Sequence, residues 1–85
     1  MIEIIKNDIL EFIVKYYKIN PLLFNNQTDV FSYPIYLKAR DVLYILFSLS
    51  QKYNIVLSMD MSNYKLVSID TLADYLNNCK KTSTT

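Results

Sequence analysis

Residues 35–53, IYLKARDVLYILFSLSQKY, carry the strongest structural signal in the chain. Apolar side chains recur in this stretch at three- and four-residue steps, which places them on one face of a helix. They are Ile35, Val42, Ile45, Leu46, Leu49 and Tyr53. Asp41 near the beginning and Lys52 near the end have the charges that the helix dipole favours at those positions. The stretch therefore predicts a central helix over residues 35–53.

Three further apolar side chains of this helix lie off that face. With Leu43, Tyr44 and Phe47 included, the predicted helix is apolar nearly all round. Such a helix is buried on more than one side or has a partner. Two interpretations of Tyr44 and Phe47 are open at this point. They either pack beneath the preceding loop or are exposed anchors for another protein.

A first helix is predicted over residues 2–18, where isoleucines and aromatic residues recur at helical spacing. Asn20-Pro21 ends it, because the residue before a proline avoids the helical region. The following loop, residues 20–34, holds four large apolar side chains: Leu22, Leu23, Phe24 and Phe31. Because their exposure to water would be costly, we expect the loop to pack across the helix ends.

The end of the chain predicts a short last helix and a tail. Ser68 is a good N-cap for a helix over Ile69–Leu76. Residues 78–85 are polar and predict a flexible tail, in which Cys79 is an unreactive cysteine.

Composition excludes most classes of enzyme. The 85 residues include no glycine, no histidine and one cysteine. Without glycine the chain has no phosphate-binding glycine loop and no nucleophile elbow. Without histidine it lacks the commonest general base and metal ligand, and one cysteine forms neither an intramolecular disulfide nor a multi-cysteine zinc site. The residues predict one small non-enzymatic domain with no cofactor and no metal.

The charge balance bears on partners and location. Nine basic and eight acidic side chains give a net charge of +1, which predicts binding neither to nucleic acid nor to an anionic membrane surface. No apolar run approaches the ~18 residues of a spanning helix, and the chain begins without the basic leader of a signal peptide. We therefore expect a cytoplasmic protein.

Three stretches resemble parts of acyl and peptidyl carrier proteins. Residues 29–31, DVF, followed by Ile35 resemble the loop that leads to the modified serine of a carrier. Residues 42–57 resemble its central helix, with the closing aromatic residue and the aliphatic residue after it. Residues 67–76, VSIDTLADYL, resemble its last helix, including the serine or threonine cap. The likeness covers nearly the whole chain.

The resemblance implies a fold and a division of the chain. The fold is a small all-α, carrier-protein-like bundle of three main helices, with a short fourth helical turn near residues 59–65. This bundle spans residues 1–77 and the polar tail spans 78–85. By themselves, residues 54–68 fit either a β-hairpin or a loop with one helical turn. Since both flanks resemble a carrier, we expect the loop.

The chain departs from the carriers at the residue that gives them their activity. A carrier holds a phosphopantetheine arm on a serine at the start of its central helix, within an Asp-Ser-Leu or Gly-Ser-Leu type of triplet. Lys38-Ala39-Arg40 occupies that place here, and Ala39 has no hydroxyl to accept the arm. Ser32 in the loop is the alternative serine, but Tyr33 follows it instead of an aliphatic residue.

The resemblance implies an accessory protein without the arm. Acyl-carrier-related proteins accompany bacterial peptide-maturation systems, so the expected partner is a peptide-modifying enzyme or a second copy of the chain. The central helix has more basic than acidic residues, unlike the acidic helix of ordinary carriers. The predicted partner-binding residues are Arg40, Leu43, Tyr44 and Phe47. The alternatives are a carrier modified on Ser32 and a small self-associating helical protein.

Overall fold

The computed structural model describes residues 2–57 and 64–83, without the side chains of 81–83. Within these residues the chain forms three α-helices. They are α1 (Ile2–Tyr17), α2 (Ala39–Tyr53) and α3 (Ile69–Ser83), and one turn of 3-10 helix spans Pro21–Leu23. No strand occurs within these residues. The prediction of a small all-α bundle with three main helices is confirmed.

The core lies between α1 and α3, which pack mainly against each other. Their fully buried side chains follow a helical period on each helix, namely Ile5, Ile9, Ile13, Ile69, Leu72 and Leu76. Burial of one such side chain contributes about 1.5–3 kcal/mol. The central helix α2 adds a buried stripe, consisting of Val42, Ile45, Leu46, Leu49 and Ser50. The side of α2 that holds these residues faces the bundle.

The predicted start of the central helix is wrong by one turn. Ile35 is buried, but it lies in a turn, in which its backbone N–H donates to the carbonyl of Ser32 at 2.9 Å. Tyr36 has a φ of 53°, in the left-handed region, which a right-handed helix excludes. Ile35 precedes Val42 by seven residues, the length of two helical turns. It therefore matches the period of α2 without belonging to the helix.

The loop before α2 buries different side chains from those predicted. Leu22 is 90% exposed, and Leu23 and Phe31 are also exposed; only Phe24 packs partly against the core. The buried residues are Val30, Ile35 and Leu37. Backbone hydrogen bonds hold this part of the loop, because Val30 N–H donates to the carbonyl of Val67 and Leu37 N–H donates to that of Val30, both at 2.8 Å.

The last helix is longer than the sequence predicts. Its predicted end at Leu76 is wrong, because α3 continues to Ser83, so residues 78–83 of the predicted tail are helical. Cys79 is fully buried. It lies three residues after Leu76 and extends the buried stripe of α3 by one turn. Because the residues around Cys79 are polar, the sequence offers one apolar position there, which is too weak a signal to predict that the helix continues.

The predicted N-cap of α3 is confirmed. The backbone N–H of Thr71 donates to Oγ of Ser68 at 3.3 Å, and the N–H of Ser68 donates to Oγ1 of Thr71 at 2.7 Å. These reciprocal bonds satisfy two backbone donors at the helix start. Most of the fourth helical turn predicted near residues 59–65 lies outside the described residues. No helix among those described is long and apolar enough to cross a membrane.

Candidate functional site

Helices α1 and α2 run antiparallel, and polar contacts join them at both ends. The hydroxyl of Tyr17, at the end of α1, donates to Oδ1 of Asp41, near the start of α2, at 3.2 Å. At the opposite end, Nζ of Lys52 lies 3.2 Å from Oδ2 of Asp8. The two helices thus form one continuous outer surface with an α1 side and an α2 side.

An exposed apolar stripe occupies the α2 side of this surface. Leu43 is 64% exposed, and Tyr44 and Phe47 are each 56% exposed. Leu43 and Phe47 are one helical turn apart, with Tyr44 beside them, so the three side chains share one face. We call them the α2 stripe. Tyr44 and Phe47 are therefore not buried beneath the preceding loop, and the first of the two open interpretations is wrong.

Aromatic residues of α1 border the stripe. The ring of Phe12 meets the ring of Tyr44 edge-on, with centroids 5.6 Å apart, and lies 4.5 Å from the ring of Tyr16. Such edge-on pairs add about 0.5–1.5 kcal/mol beyond the burial of their area. Next to them lies a groove of about 240 Å³, lined by Phe12, Tyr16, Ser48 and Leu49 and by the charged residues Asp8, Glu11, Lys15 and Lys52. The rings of Phe12 and Tyr16 thus extend the apolar surface from α2 onto α1, and the groove beside them is of mixed charge.

Sequence reasoning missed this α1 side. It predicted one apolar period for the first helix and no second, outer apolar face, whereas Phe12 is half-buried and Tyr16 is exposed. Their spacing of four residues was a usable signal, because Ile9 and Ile13 already complete the buried stripe. When other residues already fill the core-facing side of a helix, an additional aromatic pair is expected to lie on its outer surface.

The helix α2 begins within Lys38-Ala39-Arg40. Ala39 is the first residue of the helix and is exposed. The backbone N–H of Lys38 donates to Oδ2 of Asp41 at 2.9 Å, which caps the helix. The first residue of α2 therefore presents a methyl group and no hydroxyl.

Ser32 lies in a different setting. Its hydroxyl donates to Oδ2 of Asp29 at 3.1 Å. Its carbonyl accepts the N–H groups of Ile35 and Tyr36 in a turn, and seven residues separate it from Ala39. Ser32 is exposed, but it is not at the start of a helix, which is where a carrier presents its serine.

Arg40 completes the set of predicted partner-binding residues. It is exposed and lies in the first turn of α2, three residues before Leu43 and four before Tyr44. Residues at these spacings are neighbours on a helix surface. The structure therefore brings all four residues, Arg40 and the α2 stripe, onto one exposed face.

A polar network closes the other end of the surface. The hydroxyl of Tyr53 donates a hydrogen bond to Oδ2 of Asp8, the same oxygen that Lys52 contacts. Burial, reinforced by the Asp8 carboxylate, raises the pKa of Tyr53. The hydrogen bond to Asp8 raises the pKa of Lys52. At neutral pH Lys52 therefore stays charged and the phenol of Tyr53 stays neutral, which fits a structural role between α1 and α2.

Neither metal-binding clusters nor known relatives indicate another site. Within residues 2–57 and 64–80, no three side chains of the His, Cys, Asp and Glu types come together in a way that would hold a metal ion. No family model, curated protein or solved structure matches the chain. Any proposal of function therefore rests on the outer surface of α1 and α2 and on the start of α2.

Proposed function

We propose that this protein is a non-enzymatic docking protein, related to acyl carrier proteins, that binds a protein partner through α2 and carries no phosphopantetheine arm. The partner is a peptide-modifying enzyme, as for the acyl-carrier-related proteins of bacterial peptide-maturation systems that the sequence resembles. The proposal places both proteins in the cytoplasm. The exposure of the α2 stripe is the observation that carries the docking role.

The stripe is more apolar surface than the fold requires. The core-facing side of α2 is supplied by other residues, among them Ile45 and Leu49, which are almost completely buried. Leu43, Tyr44 and Phe47 add nothing to that side and leave apolar area in water. Monomeric proteins rarely expose contiguous apolar patches except where they bind something. Aromatic residues are also enriched among those that dominate binding energy.

The absence of an arm is supported at two positions. Ala39 begins α2 and has no oxygen to be esterified. Ser32 has a hydroxyl, but its turn is not the helix start that a carrier presents. Neither position favours a carrier modified on an unusual serine. A self-associating protein remains an alternative, because a second copy would also cover the stripe.

Photo-crosslinking in the cells that make the protein tests the docking role. A benzophenone side chain at position 47, in place of Phe47, should yield one discrete adduct with a peptide-modifying enzyme, identified by mass spectrometry. The same side chain in place of Tyr36, an equally exposed loop aromatic, is the matched control and should not yield that adduct. An adduct with a second copy would support self-association instead. Failure to form an adduct at position 47 would refute docking through α2.

Intact mass tests the second half of the proposal. After co-expression with a broad phosphopantetheinyl transferase, the mass of the protein should equal that calculated from the sequence. A conventional carrier protein in the same cells is the positive control. A gain of one phosphopantetheine on Ser32 or on any other residue would refute an arm-less function.

A further inference from the structure

The end of the outer surface where Tyr17 contacts Asp41 is rich in positive charge. The end of α1 and the start of α2 each bring two cationic side chains there, and we call these four the basic end. They are Lys15, Lys18, Lys38 and Arg40, all exposed. This group lies beside the α2 stripe, because Arg40 is one helical turn from Leu43. An apolar patch and a cluster of cations thus adjoin each other.

The acidic groups nearby leave most of this charge unbalanced. Asp41 is already engaged, because its two oxygens accept the N–H of Lys38 and the hydroxyl of Tyr17. Glu11 lies one turn before Lys15 on α1 and offsets that one charge. Lys6 and Lys52 form salt bridges with carboxylates, and neither belongs to the basic end.

Folding does not account for the cations at the start of α2. The N-terminus of a helix carries a partial positive charge, so cations there are unfavourable by about 0.3–1 kcal/mol each. Lys38 precedes the first residue of α2 and Arg40 follows it, so both face this unfavourable potential. Asp41 offsets part of it. An anion bound from outside would turn the same arrangement into a favourable one.

We propose that the α2 stripe and the basic end together bind an acidic amphipathic helix of the partner protein. The apolar face of that helix packs on the stripe and on the adjoining ring of Phe12, as amphipathic helices do on apolar surfaces. Its carboxylates meet Arg40 and Lys38, which orients the helix and accelerates its association. This inference rests on the docking function proposed above and adds the chemistry of the partner.

A second copy of the chain fits the surface less well. Its own α2 stripe is flanked by the same cations, and its nearby Asp41 is already engaged in two hydrogen bonds. Asp41 is the one acidic residue of α2, so a symmetric contact between two α2 stripes offers Arg40 no free carboxylate from α2 itself. Complementary charge therefore favours a different protein.

Selection from a library of displayed helical peptides tests this inference without a known partner. The peptides are about five helical turns long (~18 residues), with randomised surface positions. Those selected by the wild-type protein should combine apolar residues at helical spacing with an excess of Asp and Glu. Fluorescence anisotropy should show that Phe47→Ala weakens their binding about thirtyfold or more, and Arg40→Glu about tenfold or more.

The charge variants are matched. Arg40→Glu places an acid where the dipole of α2 favours one, so weaker binding would not reflect loss of the helix. Lys65→Glu makes the same charge change on an exposed residue before α3 and should leave binding unchanged. Added salt should weaken the binding of the acidic peptides to the wild type more than to Arg40→Glu.

Four outcomes would overturn the inference, and they separate it from the docking function. Selection of neutral or basic peptides whose binding still depends on Phe47 would refute the acidic partner but not the docking function. Selection of peptides whose binding is unaffected by Phe47→Ala would refute both the acidic partner and docking through the stripe. A dimer in sedimentation that Phe47→Ala dissociates would assign the surface to a second copy. Binding to phosphatidylserine vesicles that Arg40→Glu abolishes, without selection of acidic peptides, would assign the basic end to a membrane.

Discussion

The hydroxyl of Tyr17, the last residue of α1, donates a hydrogen bond to Oδ1 of Asp41 across 3.2 Å. Oδ2 of the same carboxylate accepts the backbone N–H of Lys38 at 2.9 Å. One side chain therefore caps α2 and joins it to α1. Burial, reinforced by Asp41, raises the pKa of Tyr17, so the phenol remains a donor at neutral pH. This contact sets where the basic end and the α2 stripe lie relative to α1.

Replacement of Asp41 should destabilise the fold measurably. Asp41→Ala removes the cap of α2, the acceptor for Tyr17 and a favourable charge near the helix N-terminus. We expect the free energy of unfolding to fall by about 1–2 kcal/mol, measured by urea denaturation. Glu11→Ala, the loss of an exposed acid on α1, is the control and should change stability by about 0.5 kcal/mol or less. Equal effects of the two substitutions would contradict the role of Asp41.

Truncation to alanine should lower the folding stability by very different amounts at two positions of α2. Ile45→Ala, at a fully buried site, should cost about 2–5 kcal/mol of folding free energy because it leaves a cavity. Phe47→Ala, two residues later on the exposed face, should cost about 1 kcal/mol or less. Thermal melts of both variants give the comparison. A collapse of the fold in Phe47→Ala would mean that its side chain is part of the core and would remove the basis for docking.

Cys79 should behave as a core residue. Its thiol is fully buried, so a thiol reagent should label it slowly in the native protein and rapidly in urea. Cys79→Ser should lower the free energy of unfolding by about 1–3 kcal/mol, because the hydroxyl loses its hydrogen bonds to water. Cys79→Ala is the matched apolar control and should cost less. Equal labelling rates in native protein and in urea would show that α3 does not hold this residue in the core.

Stability should decline in alkaline solution. Among the described residues the resolved pKa shifts are upward: the tyrosine shifts result chiefly from burial, and the lysine shifts chiefly from hydrogen bonds to carboxylates. The groups are Lys6, Tyr17, Lys52, Tyr53 and Tyr64. A raised folded-state pKa gives a stabilisation that is complete below the unfolded pKa, about 10 for these residue types. That stabilisation is lost as the pH rises through the folded-state pKa. Urea denaturation at several pH values should therefore show the loss above about pH 10.

A single substitution isolates one part of this pH dependence. Tyr53→Phe removes the phenol that donates to Asp8 and should make the decline above about pH 10 less steep. Tyr36→Phe, at an exposed loop position, is the control and should leave the decline unchanged. If both variants kept the wild-type slope, the contact between Tyr53 and Asp8 would not contribute to stability.

Restoring the missing serine should not create a carrier. Ala39→Ser places a hydroxyl at the first residue of α2, but Lys38 and Arg40 still flank it in place of the acidic or glycine residue and the leucine of the carrier triplet. We expect no mass gain after incubation with coenzyme A and a transferase. A second variant with all three positions changed to Asp-Ser-Leu tests the flanks. Modification of Ala39→Ser alone would show that only the hydroxyl is missing.

The sequence predicted the helices better than it predicted their ends. The inner faces of α1 and α2 follow from local periodicity, and the confirmed cap at Ser68 follows from a bond between neighbours in sequence. The predictions of the helix ends were wrong where the apolar period was misleading or weak. Ile35 keeps the period of α2 from outside the helix, and Cys79 continues α3 among polar residues. The loop failed for a different reason, since burial of Val30 depends on a backbone bond to Val67, far along the chain.

For the candidate site as well, the sequence determined some properties and the tertiary structure decided others. The sequence by itself determined that Ala39 cannot carry a phosphopantetheine arm, because that property depends only on the absence of a hydroxyl. It also determined that α2 has more apolar residues than one buried face uses. Only the tertiary structure decided which of them remain in water. Exposure of Phe47 depends on where α1 and α3 pack, and they cover the side of α2 that holds Ile45. The same packing brings Phe12 beside Tyr44, a neighbour 32 residues away in the chain, which no local pattern indicates.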